Sequence, residues 1–155
     1  MANNCFIEIS LETETAEQAE ELRKELQASF NIARRENVGA FFGNEKRYLF
    51  DAHCDQADVE VSIGGWVKWG YSDGEFADMF RWLRHKVTIK KFRMAYEELM
   101  TDQYGEYELH EDGTMWNNFL LEKDFPAAMA DFEAYCEKVE EAFRTKPATR
   151  FIEVG

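Results

Sequence analysis

An α+β class is predicted for this chain by three observations. Stretches of strictly alternating apolar and polar residues, the mark of strands buried on one face, recur along it. Two stretches of helical periodicity interrupt them, each opening on a capping box. The resulting order is β-α-β-β-α-β, then a hairpin and a third helix, which groups antiparallel strands with a layer of helices.

Cys5, Ile7, Ile9 and Leu11 alternate with Phe6, Glu8 and Ser10, which predicts a first strand. Thr15 and Gln18 then make a capping box. Ala19, Leu22, Leu26 and Phe30 follow at helical spacing, with Glu17, Glu20, Glu21 and Glu25 on the outer face. Gly39 and Gly43-Asn44 are turn signals around Ala40-Phe41-Phe42, a short strand or loop. Strands are predicted over Arg47 to His53 and at Val59, Val61 and Ile63, the latter ending at Gly64-Gly65, where a bulge or a close backbone approach is expected.

Ser72 and Glu75 form a second capping box, and Phe76, Met79, Phe80 and Leu83 an apolar stripe that stops near Lys86. From Val87 to Leu99 the apolar positions switch from odd (Val87, Ile89) to even (Phe92, Met94, Tyr96), the phase change that a bulge at Lys90-Lys91 produces. Asp112-Gly113 between alternating segments signals a two-residue hairpin. Asp124 is the expected cap of the last helix, with Pro126 in its first turn. Phe125, Met129, Phe132, Cys136, Val139 and Phe143 would form its apolar seam, packed on the sheet, on the other helices or across a dimer.

The first six elements have the order of a ferredoxin-like βαββαβ sheet. A single domain over 1–155 is expected: a ferredoxin-like core at about 5–98, a hairpin and third helix at about 103–144, and a loose tail at 145–155, in which Phe151 to Val154 could add an edge strand. With 155 residues, 45% of them hydrophobic, the chain can bury a core without staples. Its three cysteines, Cys5, Cys54 and Cys136, are scattered, as suits reduced thiols rather than a disulfide framework. No signal peptide and no run of membrane-spanning length is read, so the expected setting is cytoplasmic.

The charge is sorted along the sequence. Met79 to Tyr96 holds six bases (Arg81, Arg84, Lys86, Lys90, Lys91, Arg93) and no acid. Glu97 to Asp112 holds seven acids (Glu97, Glu98, Asp102, Glu106, Glu108, Glu111, Asp112) and no base. With 18 Lys+Arg against 31 Asp+Glu the net charge is −13, which repels phosphates and points to a basic partner surface. Direct nucleic-acid binding is weighed down by that charge and by the lack of an RNA-recognition signature, although Trp66, Trp69, Tyr71 and Trp82 lie beside the basic tract.

Catalytic motifs are missing. There is no phosphate loop, no nucleophile elbow, no H-E-x-x-H and no pair of C-x-x-C motifs. His53-Cys54-Asp55 is the one cluster of ligand types, and it lacks a further His or Cys at metal-binding spacing, so no metal and no cofactor is expected. Alternating Glu106 and Glu108 fit the wet face of a hairpin better than an acid–base pair.

The run Gly65-Trp66-Val67-Lys68-Trp69-Gly70, followed by a helix and a strand ending Met94-Ala95-Tyr96-Glu97-Glu98, resembles the YubB-type ferredoxin-like proteins of plasmids and phages. The resemblance covers the second half of the chain. It implies the fold and a mobile-element origin, and it transfers no catalytic residue. In size, acidity and lack of catalytic motif the chain is similar as a class to phage inhibitors of CRISPR complexes and restriction enzymes.

The expected function is therefore that of an acidic, non-enzymatic binding protein. It would be a phage or mobile-element inhibitor, of anti-CRISPR or anti-restriction type, docking on the basic nucleic-acid-binding surface of a host defence complex. Glu97, Glu98, Asp102, Glu106, Glu108, Glu111 and Asp112 would make the contact, with Tyr107 and Trp116 as aromatic anchors. Two alternatives stand beside it: a small-molecule-binding or weakly catalytic module with a pocket near Trp66, Trp69 and His85, and a homodimer built on the Phe125–Phe143 seam.

Overall fold

The computed structural model describes residues 3–155. Its elements are β1 (Asn4–Thr13), α1 (Ala16–Glu36), β2 (Ala40–Phe41), β3 (Tyr48–Ala57), β4 (Glu60–Lys68), α2 (Asp73–Lys86), β5 (Ile89–Glu98), β6 (Gln103–Leu109), β7 (Met115–Phe119), α3 (Phe132–Thr145) and β8 (Ala148–Ile152). All strands join one eight-stranded antiparallel sheet in the order β2-β3-β4-β1-β5-β6-β7-β8. The α+β class holds, and the sheet is wider than a plain βαββαβ unit.

Alternation sets the two faces of this sheet. Cys5, Ile7, Ile9, Leu11 and Thr13 of β1 are buried, and the residues between them point to the other side. α1 and α2 cover the buried, inner face with Leu22, Leu26, Phe30, Phe76, Phe80 and Leu83. Phe76 stacks on Tyr107 of β6 with ring centroids 3.7 Å apart, which ties α2 to the far half of the sheet.

Both helices are capped where expected, but only the second cap is a full box: the Gln18 side chain accepts from Thr88 N–H instead of closing back on Thr15. Gln18 N–H donates to Thr15 Oγ1 at 3.1 Å, and the Ser72–Glu75 box closes in both directions at 3.2 and 3.0 Å. The phase change in β5 is a bulge: Glu12 pairs with Lys91 and Thr13 with Ile89, leaving Lys90 extra. A second bulge lies in β3, where Phe50 pairs with Trp66 and His53 with Gly64. There the bare Gly64 leaves room for the His53 ring, which lies 2.6 Å from where a Cβ would sit.

Four expectations are corrected. The Asp112-Gly113 hairpin has three loop residues, not two: His110 N–H donates to Thr114 O, Gly113 N–H to His110 O, and Gly113 takes φ 88°. The last helix starts at Phe132, because Asp131, not Asp124, accepts from the free amides of Glu133 and Ala134. Asp124 only closes a single 3₁₀ turn. α3 lies on the outer face of the sheet, where Phe143 meets Tyr104 edge-on at 5.3 Å, so the helices do not form one layer. The tail is not loose: residues 148–152 pair with β7, Ile152 and Val154 are buried, and Arg84 Nη2 donates to Val154 O at 2.8 Å.

Candidate functional site: an acidic, aromatic groove on the outer face

Strand register brings residues from five strands into one line across the outer face. Phe50 pairs with Trp66, Trp66 with Phe6, Phe6 with Glu97, and Glu97 with Tyr104. Phe143 of α3 closes the line. Trp66 stacks on Phe50 at 4.6 Å, its indole N–H donates to Asp51 Oδ2 at 3.2 Å, and Lys68 lies 5.4 Å from the Phe50 ring centre. The neighbouring line runs Gly64, Glu8, Ala95, Glu106. Its small members sink the floor, and a groove of about 300 Å³ opens between α3 and the sheet.

Carboxylates and aromatics share this groove. Phe6 is 55% exposed although it sits in a central strand. Glu106 reaches Arg93 Nε at 3.3 Å. Burial pushes the Glu106 carboxyl above the ordinary carboxylate range, more than Arg93 pulls it down. Glu97 is likewise raised, first by burial and then by Glu140 of α3 and its neighbour Glu98. Among the described residues neither Glu8, Glu97 nor Glu140 has a salt-bridge partner.

The expected contact residues are divided by the fold. Glu97, Glu106, Glu108 and Trp116 share the outer face, with Glu108 held by His110 at 2.9 Å and Trp116 packed between His110 and Phe151. Glu111 and Asp112 lie exposed at the hairpin tip, where Thr114 donates twice to Asp112 Oδ1 and holds its carboxyl below the usual range. Asp102 sits in a left-handed turn, half-buried. Tyr107 is no surface anchor: it is buried on the inner face, because β6 alternates. Glu98 is buried too, and its Oε1 accepts from Met100 N–H at 2.9 Å.

The pocket expected near Trp66, Trp69 and His85 is not assembled. Trp66 faces outward from the sheet, whereas His85 is exposed on α2, which covers the inner face. Trp69 is exposed, with φ 69°, beyond the end of β4. His53-Cys54-Asp55 is split in the same way by strand alternation, Cys54 being buried between two exposed neighbours. Among the described residues no group of three or more His, Cys, Asp or Glu is placed to hold a metal. No described helix is long and apolar enough to cross a membrane.

A second cavity, about 330 Å³, lies at the end of α2. Asp73, the first residue of that helix, accepts from Tyr107 Oη at 2.9 Å and Asn117 Nδ2 at 3.3 Å on one oxygen, and from Arg150 Nε on the other. Tyr96 Oη donates to Asn117 Oδ1 at 2.7 Å. Burial raises the Tyr96 and Tyr107 hydroxyls well above the ordinary phenol range, so both stay protonated donors. Tyr71 also lines this cavity, and its buried hydroxyl has no partner among the described residues.

Sequence reasoning missed Phe6, Arg93 and Phe143 in the groove, and Asp73, Asn117 and Arg150 in the cavity; Glu140 belongs to the acidic stretch Glu137 to Glu141, which the sequence shows but does not join to Glu97. For Phe6 a signal existed: it is a bulky apolar residue on the polar side of an alternating strand. No family model matches this chain, and no curated protein or solved structure matches it either.

Proposed function

We propose that this protein is a non-enzymatic acidic binding protein that docks its outer face on a basic, nucleic-acid-binding surface of a host defence complex, as an inhibitor from a phage or other mobile element. The observation that carries the reading is the groove. Glu8, Glu97, Glu106 and Glu140 crowd around it, and of these only Glu106 is ion-paired among the described residues. The Glu97 and Glu106 carboxyls, held above their ordinary range by burial and by neighbouring acids, gain most from a cation supplied by a partner. The strand order β3-β4-β1-β5 at the middle of the sheet supports reading the core as ferredoxin-like, widened by β6 to β8.

The reading is tested by pull-down from a bacterial lysate with elution by a salt gradient. A nucleic-acid-handling complex should elute early in salt and be lost with the triple change Glu97→Lys, Glu106→Lys, Glu108→Lys. Retention of the same complex by that variant refutes the mechanism.

A second reading, a small-molecule module, draws on the unpartnered Tyr71 hydroxyl in the cavity around Asp73. It predicts a rise in melting temperature with a small polar ligand, abolished by Arg150→Ala.

A further inference from the structure

The acidic tract gives a general attraction to cations, but the groove has a more selective shape. Phe6 and Tyr104 form its ends along one line of the sheet, with Glu97 between them in register. Phe143 stands over Tyr104 from α3, and Glu8 and Glu106 occupy the adjacent line. A cation entering this space meets the rings of Phe6, Tyr104 and Phe143 and the carboxylates of Glu8, Glu97 and Glu106, the last already paired with Arg93. Its volume of about 300 Å³ is at the lower limit for a small-ligand pocket, which suits one long side chain.

We infer that this groove is a receptor for an arginine side chain of the docking partner. The inference rests on the acidic-docking reading and deepens it by naming the residue recognised. Arginine fits better than lysine for three physical reasons. Its planar guanidinium stacks on aromatic rings, as an ammonium does not. Its fork can engage two carboxylates, here Glu97, paired across from Phe6 on β5, and Glu8, two residues beyond Phe6 on β1. It is also more weakly hydrated, so entering a partly desolvated site costs it less.

The protein's own arginines give an internal precedent for this preference. Arg150 lies 4.7 Å from the Phe119 ring centre while its Nε holds Asp73. An aromatic ring and a carboxylate thus already hold one guanidinium on the inner face. On the outer face the same pair of groups is present, and Phe6 and Glu97 have no guanidinium between them among the described residues. Nucleic acid is disfavoured as the occupant, because its phosphates would face Glu8, Glu97 and Glu106.

The test is a titration of the isotope-labelled protein with capped hexa-arginine, hexa-lysine and an oligothymidylate, followed by amide chemical shifts. Hexa-arginine should shift Phe6, Ala95, Glu97, Tyr104 and Phe143 and bind at least several-fold more tightly than hexa-lysine. F6A and E97Q should each weaken it about 10-fold, while E20Q/E21Q on α1 should leave it unchanged. Phe6 and Glu97 are exposed, so both variants should keep the wild-type spectrum elsewhere. Equal binding of the two peptides, weakened as much by E20Q/E21Q as by E97Q, overturns the arginine receptor but leaves acidic docking standing. Binding of the oligothymidylate alone, or of no probe, overturns the receptor, and an intact pull-down in the charge-reversed variant then removes the docking reading as well.

Discussion

Two carboxylate sites on opposite faces of one sheet have been given opposite surroundings. On the inner face Asp73 is met by donors from three strands: Tyr107 of β6, Asn117 of β7 and Arg150 of β8. On the outer face Glu97 is met by Glu98 and Glu140, and burial holds its carboxyl up. The first arrangement satisfies its charge internally and fastens a helix to the end of a sheet. The second leaves charge and aromatic surface exposed where a rigid sheet can present them. A carboxylate surrounded by donors is satisfied within the fold, whereas one surrounded by other acids is left without a countercharge.

Three changes break or sharpen this contrast. Phe76→Ala should have the largest effect, about 3–5 kcal/mol in urea unfolding, because Phe76 is fully buried and stacks on the same Tyr107 that anchors Asp73. Asp73→Ala should cost about 2 kcal/mol, since it strands the donors of Tyr107, Asn117 and Arg150 while one side of Asp73 stays wet. If it costs nothing, the inner network is decoration and the contrast fails.

Glu97→Gln should do the reverse and stabilise the fold by a few tenths of a kcal/mol at pH 7, a size limited by solvent screening. Its sign follows from linkage. Folding raises the Glu97 carboxyl, so the folded state binds the proton more readily and stability falls as pH rises through the interval between the ordinary and the raised value. The gain from Glu97→Gln should therefore be present at neutral pH, shrink as pH falls through that interval, and vanish below the ordinary carboxylate range. A variant less stable than the parent at pH 7 would mean that Glu97 has an internal partner.

Local signals were legible in the sequence, and pairings between distant segments were not. The caps at Thr15 and Ser72 and the extra residue at Lys90 each depend on neighbours within a few positions. The contact surface depends on register. Glu97 and Glu106 fall beside Phe6 and Phe143 only because β1 lies next to β5 and α3 crosses the outer face. Tyr107 was misplaced for a related reason: its strand alternates cleanly, but which parity faces inward is settled by Phe76 on another element. The start of α3 was misplaced because Asp124-Phe125-Pro126 and Asp131-Phe132 both look like helix openings, and only the second has amides for its aspartate to accept from.

The sequential charge sorting also dissolves in space. Arg81 pairs with Asp78, Lys86 with Glu25, Lys91 with Glu12 and Arg93 with Glu106, so much of the basic tract is consumed by acids from four different elements. On the outer face Glu8, Glu97 and Glu140 are left without a salt-bridge partner among the described residues.

The edge strand β8 carries a consequence for biosynthesis. It is the last of the eight strands to leave the ribosome, yet it covers β7 and places Ile152 and Val154 in the core. Until it arrives, a nascent chain with β6 and β7 formed displays an open row of peptide groups beside uncovered apolar side chains. Two chains that meet before β8 docks would each offer the other a spare strand, so a delay in that docking should favour exchanged dimers over correctly closed monomers.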